Sequence, residues 1–397
     1  MKKISQKLYN YVWAVFLMTP IYMIMFDLVL GVSRSNFLAI IAAIICLFII
    51  LAIFLERKIY LNQNILIILF MLALIFVLSI RNFNIIDYSF IQFGFYIIIP
   101  ALLVFHEINI QEVLRYLIYL SFPLILGLEN ILTIQNYGIS QADMYNVYAM
   151  VPCILASLIH FFHYREHSNI CIKIGYLLNL YYLYRVGINA VRGFWLVFLF
   201  FVALEIMFLL QKNNSKKNYD IIVLVVTVIL VLVILNLSEV LMFAVSTLQS
   251  VSDIELGILT KTVILLERGD ISNGRFDIWE SAINCFFNTP ILGAGIDGIA
   301  IWSNGTIAYP HNFILQLLVD GGILFGFFPI AISLIGLYNL VMRKVKNNEI
   351  MIFSIFLTSA SIPIALLSGD IWKSSTLWLT IFFYAKYIVT RKVKRNE

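Results

Sequence analysis

Three residues carry types and positions that could hold a phosphate and act beside it. The first is Arg275, which opens Arg275-Phe276-Asp277-Ile278-Trp279 directly after the break Gly269-Asp270-Ile271-Ser272-Asn273-Gly274. The spacing predicts a helix from about Arg275 that ends before Asn288-Thr289-Pro290. Asp277 and Glu280 suit a helix start, where the dipole favours negative charge, and Arg275 does not. Its guanidinium stands beside free backbone N–H groups, a combination that makes a site for a phosphate or diphosphate. The alternative is a surface arginine paired with a loop acid such as Asp270. Trp279, four residues on, shares the Arg275 face and could cover a sugar or the guanidinium plane.

The second is His311, in Tyr309-Pro310-His311-Asn312 at the start of a helical run reaching Leu340. A histidine here can bind phosphate as a cation or take a proton as a base. The third is Arg192, which with Arg185 brackets one tight turn between two apolar runs. Arginine suits a phosphate there because its planar fork bonds two oxygens at once. Gly293 and Gly295 resemble half of a dinucleotide fingerprint without the strand it requires, and read as turn glycines that let the chain approach another backbone.

The elements that must position these residues are membrane helices. Of the 397 residues 62% are hydrophobic and 12% charged, whereas about a quarter of a soluble domain is charged. Apolar runs of the length a roughly 30 Å hydrocarbon core demands number twelve: Val12 to Gly31, Phe37 to Leu55, Ile65 to Ile80, Tyr88 to Phe105, Val113 to Leu128, Met144 to Phe162, Ile172 to Tyr184, Gly193 to Leu210, Ile221 to Leu237, Phe313 to Leu340, Ile350 to Leu367 and Thr376 to Val389. The expected fold is all-α, a polytopic integral membrane protein of about twelve transmembrane helices with one large extracytoplasmic loop that itself contains helices. Residues 1–237 form a first bundle of nine helices, 238–310 the loop, and 311–397 the last three. Within the loop, Val251 to Arg268 has the spacing of an amphipathic helix on the membrane. The run from Pro310 to Leu340, roughly 46 Å at about 1.5 Å per residue, is longer than a bilayer core needs, so it either projects outward or bends at Gly321-Gly322.

Of the 27 lysines and arginines, seventeen fall to the side of the N-terminus and eight to the other. The positive-inside rule then puts both termini in the cytoplasm and the loop outside. The net charge of +5 follows from that bias and from attraction to anionic membrane lipid, and argues for no nucleic-acid partner. Cys46, Cys153, Cys171 and Cys285 show no pairing pattern, so no structural disulfide is expected. No metal set is visible; His163 and His167, four apart, lie on the opposite side from the loop. A transporter or flippase also suits twelve helices, but its paired broken helices and intramembrane charges are missing from the pattern.

Arg275, Trp279, Phe286 or Phe287, Pro290, Gly293, Gly295, His311, Asn312, Leu315, Leu318, Asp320, Gly321 and Gly322, in this order after a long outer loop, resemble the signature of the bacterial O-antigen polymerase and ligase superfamily. Arg192-Gly193 resembles the arginine-glycine that family places before the loop. The resemblance implies a metal-independent, cofactor-free glycosyltransferase of the GT-C type in the bacterial cytoplasmic membrane, acting on its outer face. The substrate implied is an oligosaccharide linked to undecaprenyl diphosphate, and a protein that regulates chain length is a possible partner. Arg275 and Arg192, with Arg185 near them, would hold the diphosphate and His311 would act beside them. Trp279, Asn312 and Asp320 would support the site, Asp320 standing where the family often has Glu. A polymerase passes the chain to another lipid-linked repeat unit and a ligase to lipid A core or another acceptor; the expectation is a polymerase, with a ligase as the alternative. Asp143 and Asp370 remain further candidates for the base.

Overall fold

The computed structural model describes residues 2–31, 33–56, 63–81, 90–128, 134–136, 139–141, 144–188, 192–213, 274–342 and 345–389. Outside them lie the expected span Ile221 to Leu237, the amphipathic segment Val251 to Arg268, and Glu129, Asp143 and Asp270. Of Arg192 the backbone is described.

The apolar runs become helices, as they must where lipid offers the backbone no partner. In chain order these are α1 (Lys2–Leu30), α2 (Arg34–Glu56), α3 (Gln63–Arg81), α4 (residues 90–104, with a π turn at Gly94–Ile98), α5 (Ile110–Leu120), α6 (Met144–Tyr164), α7 (Ile170–Ile188) and α8 (Arg192–Asn213). After the undescribed stretch come α9 (Arg275–Asn288), α10 (Gly298–Trp302), α11 (Phe313–Val341), α12 (Asn348–Leu367) and α13 (Ser375–Tyr384), which runs on into a π turn at Ala385–Val389. Eleven of the twelve expected spans fall on helical segments. Among the described residues five helices are long and apolar enough to cross a membrane: α1, α6, α8, α11 and α12. Among the described residues the departure from helix is a small antiparallel hairpin in the connection before α6, β1 (Ile134–Asn136) with β2 (Ile139–Gln141), Gln135 opposite Ser140.

Local chemistry starts the helices. Asn109 accepts from Glu112 N at the head of α5, and Asn347 accepts from Glu349 N and Ile350 N at the head of α12. These side chains satisfy donors that the first turn leaves without a helical partner. The core lies where α1, α4, α6, α12 and α13 meet, with Trp13, Phe16, Phe353, Trp378 and Tyr384 fully buried. Packing and interhelical hydrogen bonds hold such a bundle, because lipid tails are as apolar as leucine. The Trp13 indole donates to Leu103 O at 3.1 Å, and the hydroxyls of Ser361 and Thr380 stand 2.8 Å apart.

The two ends of the bundle are chemically distinct. At one, His163 on α6 meets Glu205 on α8 at 3.0 Å, Tyr164 donates to Glu349 at 2.6 Å, and Lys386 donates to Val104 O and His106 O. The starts of α6, α8 and α11 and the residues after α12 gather at the other end, together with α9.

α11 is two helices. Gly322 has φ 59° and ψ −163°, far from helical values, and the chain doubles back so sharply that a Cβ on Gly326 would stand 2.5 Å from Leu317 O. Of the two alternatives for the over-long run, the bend at Gly321-Gly322 is the one adopted. The part beyond it, residues 323–341, is about 28 Å long at ~1.5 Å per residue, a bilayer core's thickness.

Candidate active site

The break in α11 is stitched to the loop after α9. A broken helix frees carbonyls on one side and N–H groups on the other, and burial demands partners for both. Val319 O and Asp320 O accept from Ala294 N and Gly295 N at 2.7 and 2.9 Å, while Ile323 N and Leu324 N donate to Pro290 O and Ile291 O at 2.9 and 3.0 Å. The two strips approach so closely that a Cβ on Gly293 or Gly322 would stand 2.4 Å from the opposite backbone, and both residues have positive φ. Gly293 is therefore a close-approach glycine, as its surroundings in the sequence imply. A small apolar core of Ala282, Cys285, Ile299 and Val319 closes beneath the stitch and seats α9 on the first part of α11.

On this platform α9 begins at Arg275. Gly274 precedes it with φ 77°, and no side chain caps the helix. Trp279, one turn on, donates its indole N–H to Pro310 O at 3.0 Å and packs edge-on against Phe276. Its role is to tie α9 to the backbone directly before His311. His311 has φ 55°, the left-handed region that costs a side chain of its size about 1–3 kcal/mol and persists where the surroundings dictate it. Its ring lies 4.3 Å from the Tyr309 ring, and its Nδ1 is buried without a hydrogen-bond partner. Burial, and after it the Arg275 charge, hold the His311 pKa below the usual imidazole value.

The Arg275 charge also acts on Tyr148 and Tyr309. Tyr148, near the start of α6, hydrogen-bonds Ser368 and fills the space over Gly193, where a Cβ would lie 1.8 Å from its hydroxyl. Gly193 follows Arg192 at the head of α8, so the arginine-glycine start of that helix stands against the tyrosine that faces Arg275. Arg185 turns back on its own helix, donating to the Tyr181 hydroxyl at 3.0 Å with its guanidinium over that ring. Asn312 is the cap of α11, accepting from Ile314 N and Leu315 N. Asp320 is buried and accepts from the Trp372 indole at 2.7 Å.

Sequence reasoning passed over most of a second group. Asp370 accepts from Gln316 Nε2 at 2.8 Å and from Trp372 N at 3.0 Å, and lies 3.6 Å from Lys373 Nζ. Gln316 completes the link by accepting from Ile371 N. Asp297 and Tyr309 both feel the Asp370 charge, and burial, reinforced by that charge, pushes the pKa of each above its ordinary value. The signal available in advance was the polar interruption Ser368-Gly369-Asp370 between the last two apolar runs on the expected outer side. Among the described residues no set of three metal-ligating side chains comes together.

No curated protein matches the chain. The family model described as O-antigen ligase matches residues 177–331. That stretch spans Arg185, Arg192, Arg275, Trp279, His311, Asn312 and Asp320, ends just past the break at Gly322, and leaves Asp370 and Trp372 outside. Residues 177–331, which hold Arg275 and His311, are thus similar to the O-antigen ligase family.

Proposed function

We propose that the chain is a glycosyltransferase that moves a glycan from undecaprenyl diphosphate to an acceptor sugar at the outer face of the bacterial cytoplasmic membrane, as a repeat-unit polymerase. The observation that carries this reading is the meeting of Arg275, on an uncapped helix N-terminus, with His311 at one end of an apolar bundle, inside the matched segment. The acceptor oxygen attacks the anomeric carbon, the bond from that carbon to the diphosphate oxygen breaks, and the lipid diphosphate leaves with the electron pair. Negative charge grows on that leaving group. Arg275 and the first N–H groups of α9, joined by Arg192 from the head of α8, stabilise that charge. The acceptor hydroxyl gives up its proton as attack proceeds, and His311, which its surroundings keep neutral, is the base. The scheme draws its positive charge from arginine and backbone, so it needs no metal.

The charge distribution supports the same sidedness. The end bearing His163, Glu349 and Lys386 faces the cytoplasm, and the end bearing Arg275 faces outward. The description of the matching family, O-antigen ligase, favours a second reading in which the acceptor is lipid A core or another molecule.

The test is the surface glycan ladder of a deletion strain complemented with wild type or His311→Ala. Glycan capped with a single repeat in the deletion, with the ladder restored by wild type alone, supports the polymerase. Full-length polymer left on its lipid carrier supports the ligase. A ladder unchanged by the deletion sinks both.

A further inference from the structure

Helix α9 has three faces where a water-exposed helix needs two. Ala282 and Cys285 are buried against α10 and α11. Asp277, Glu280, Asn284 and Asn288 form an exposed polar stripe. Between these runs a third stripe, Phe276, Ile283 and Phe287, at spacings of seven and four that place all three on one line of the helix; Phe276 is 67% and Phe287 69% exposed. Scattered exposed apolar residues call for no explanation, but a contiguous set does.

The stripe does not end with the helix. Ile291, 68% exposed, is hydrogen-bonded through its carbonyl to Leu324 N. From Leu324 the exposed apolar surface continues through Phe327, Leu334 and Ile335 along the part of α11 that is long enough to span. A helix apolar over its whole length with an uncovered outer face presents that face to acyl chains. Exposed Tyr145, Tyr184, Trp195 and Trp302 stand at the same end of the bundle, the depth at which membrane proteins concentrate such rings.

We propose that α9 lies in the membrane interface, with Phe276, Ile283 and Phe287 inserted among the phospholipid acyl chains of the leaflet at the site's end of the bundle and the Asp277 to Asn288 stripe in water. Because α9 starts at Arg275 and Trp279 ties it to Pro310, this immersion sets the depth of Arg275 and His311 at the phosphate layer. In conjunction with the glycosyltransferase reading, it lets a lipid-borne diphosphate reach Arg275 with its hydrocarbon tail still in the bilayer. The immersion itself does not rest on that reading.

The full wild-type chain, reconstituted in nanodiscs of phosphatidylcholine and phosphatidylglycerol carrying a diazirine at the acyl-chain terminus, is photolysed, digested and mapped by mass spectrometry. Adducts are expected on Phe276, Ile283 and Phe287 as on Leu324 to Ile335, with none on Asn284. Adducts on 324–335 alone overturn the proposal; a second copy of the chain or the segment 251–268 would then cover the stripe. Label on neither surface overturns it together with the membrane assignment. In parallel, Phe287→Cys should react with a membrane-impermeant maleimide at least about tenfold more slowly than Asn284→Cys, since the reagent stays in water; equal rates overturn it. Neither measurement reads activity, so failure here is separable from failure of the glycosyltransferase reading.

Discussion

Arg275 and His311 oppose each other before any substrate arrives. Desolvation and the neighbouring guanidinium both disfavour the imidazolium, so His311 is neutral at neutral pH. Of its two possible roles, proton acceptor is the one its environment favours. The unprotonated form predominates above the lowered pKa, so the midpoint of the acid limb of kcat/KM is expected below the ordinary imidazole value of 6.5. In Arg275→Gln that acid limb should move up, because one of its two causes is gone; a pH profile of lipid-linked substrate turnover reads both. Arg275→Ala should cost about 10²–10³-fold in kcat, the scale for losing one preorganised donor at a developing charge. Arg275→Lys keeps the charge without the fork and should recover only part of that loss. Arg275 and His311 were legible in the sequence because their signals are local: a cation where a helix start disfavours one, and a histidine behind a proline at another start. Tyr148 and Ser368 were not legible as neighbours of Arg275, because contact between distant helices admits them and no spacing records it; Asp370 was legible only as an alternative base.

At the scale of elements, the site depends on a helix broken in one place. Ala at Gly322 would take an unfavourable φ and stand 2.4 Å from Ile291 O, and Gly293 faces the same backbone from the other side. Either Gly→Ala change should unfold the platform, seen as faster proteolysis between α9 and α11 and a lowered thermal midpoint. Trp279→Phe is gentler. It removes one neutral hydrogen bond, worth about 1 kcal/mol net, so the midpoint should barely move while turnover falls as His311 loses its tether. Asp320→Leu leaves the buried Trp372 N–H without its acceptor and should cost about 1–3 kcal/mol, whereas Asp320→Asn keeps an acceptor and most of the stability. A helix start at Arg275 and a bend at Gly321-Gly322 were readable, since glycine pairs and uncapped starts have local causes. That the bend is nearly a reversal was not readable, because its cause is the strip 290–295, whose N–H and C=O groups complete what the break leaves open.

For the whole molecule, sidedness and metal use are the tests. Ser303→Cys, at the Arg275 end, should label from outside intact cells with an impermeant thiol reagent and Asn347→Cys should not; the reverse pattern would overturn the outward-facing site. Turnover by purified enzyme should survive excess EDTA unchanged, and a loss restored by a divalent cation would falsify the metal-free scheme. The sequence by itself determined the class of this protein. Apolar runs of bilayer length leave the backbone no choice but helix, and the lysine and arginine imbalance is the ground for the proposed order of their ends. It also singled out Arg275 and His311 as candidates for the chemistry and the superfamily that their surroundings resemble. The tertiary structure decided how those residues meet. It brought the Arg275 charge to bear on His311 and Tyr148, gave Trp279 the carbonyl of Pro310 to hold, and brought Asp370 from the last loop to Gln316. Hydrophobic length and helix-start chemistry are encoded within a few consecutive residues, whereas the position of one loop against a broken helix depends on packing between segments far apart in the chain.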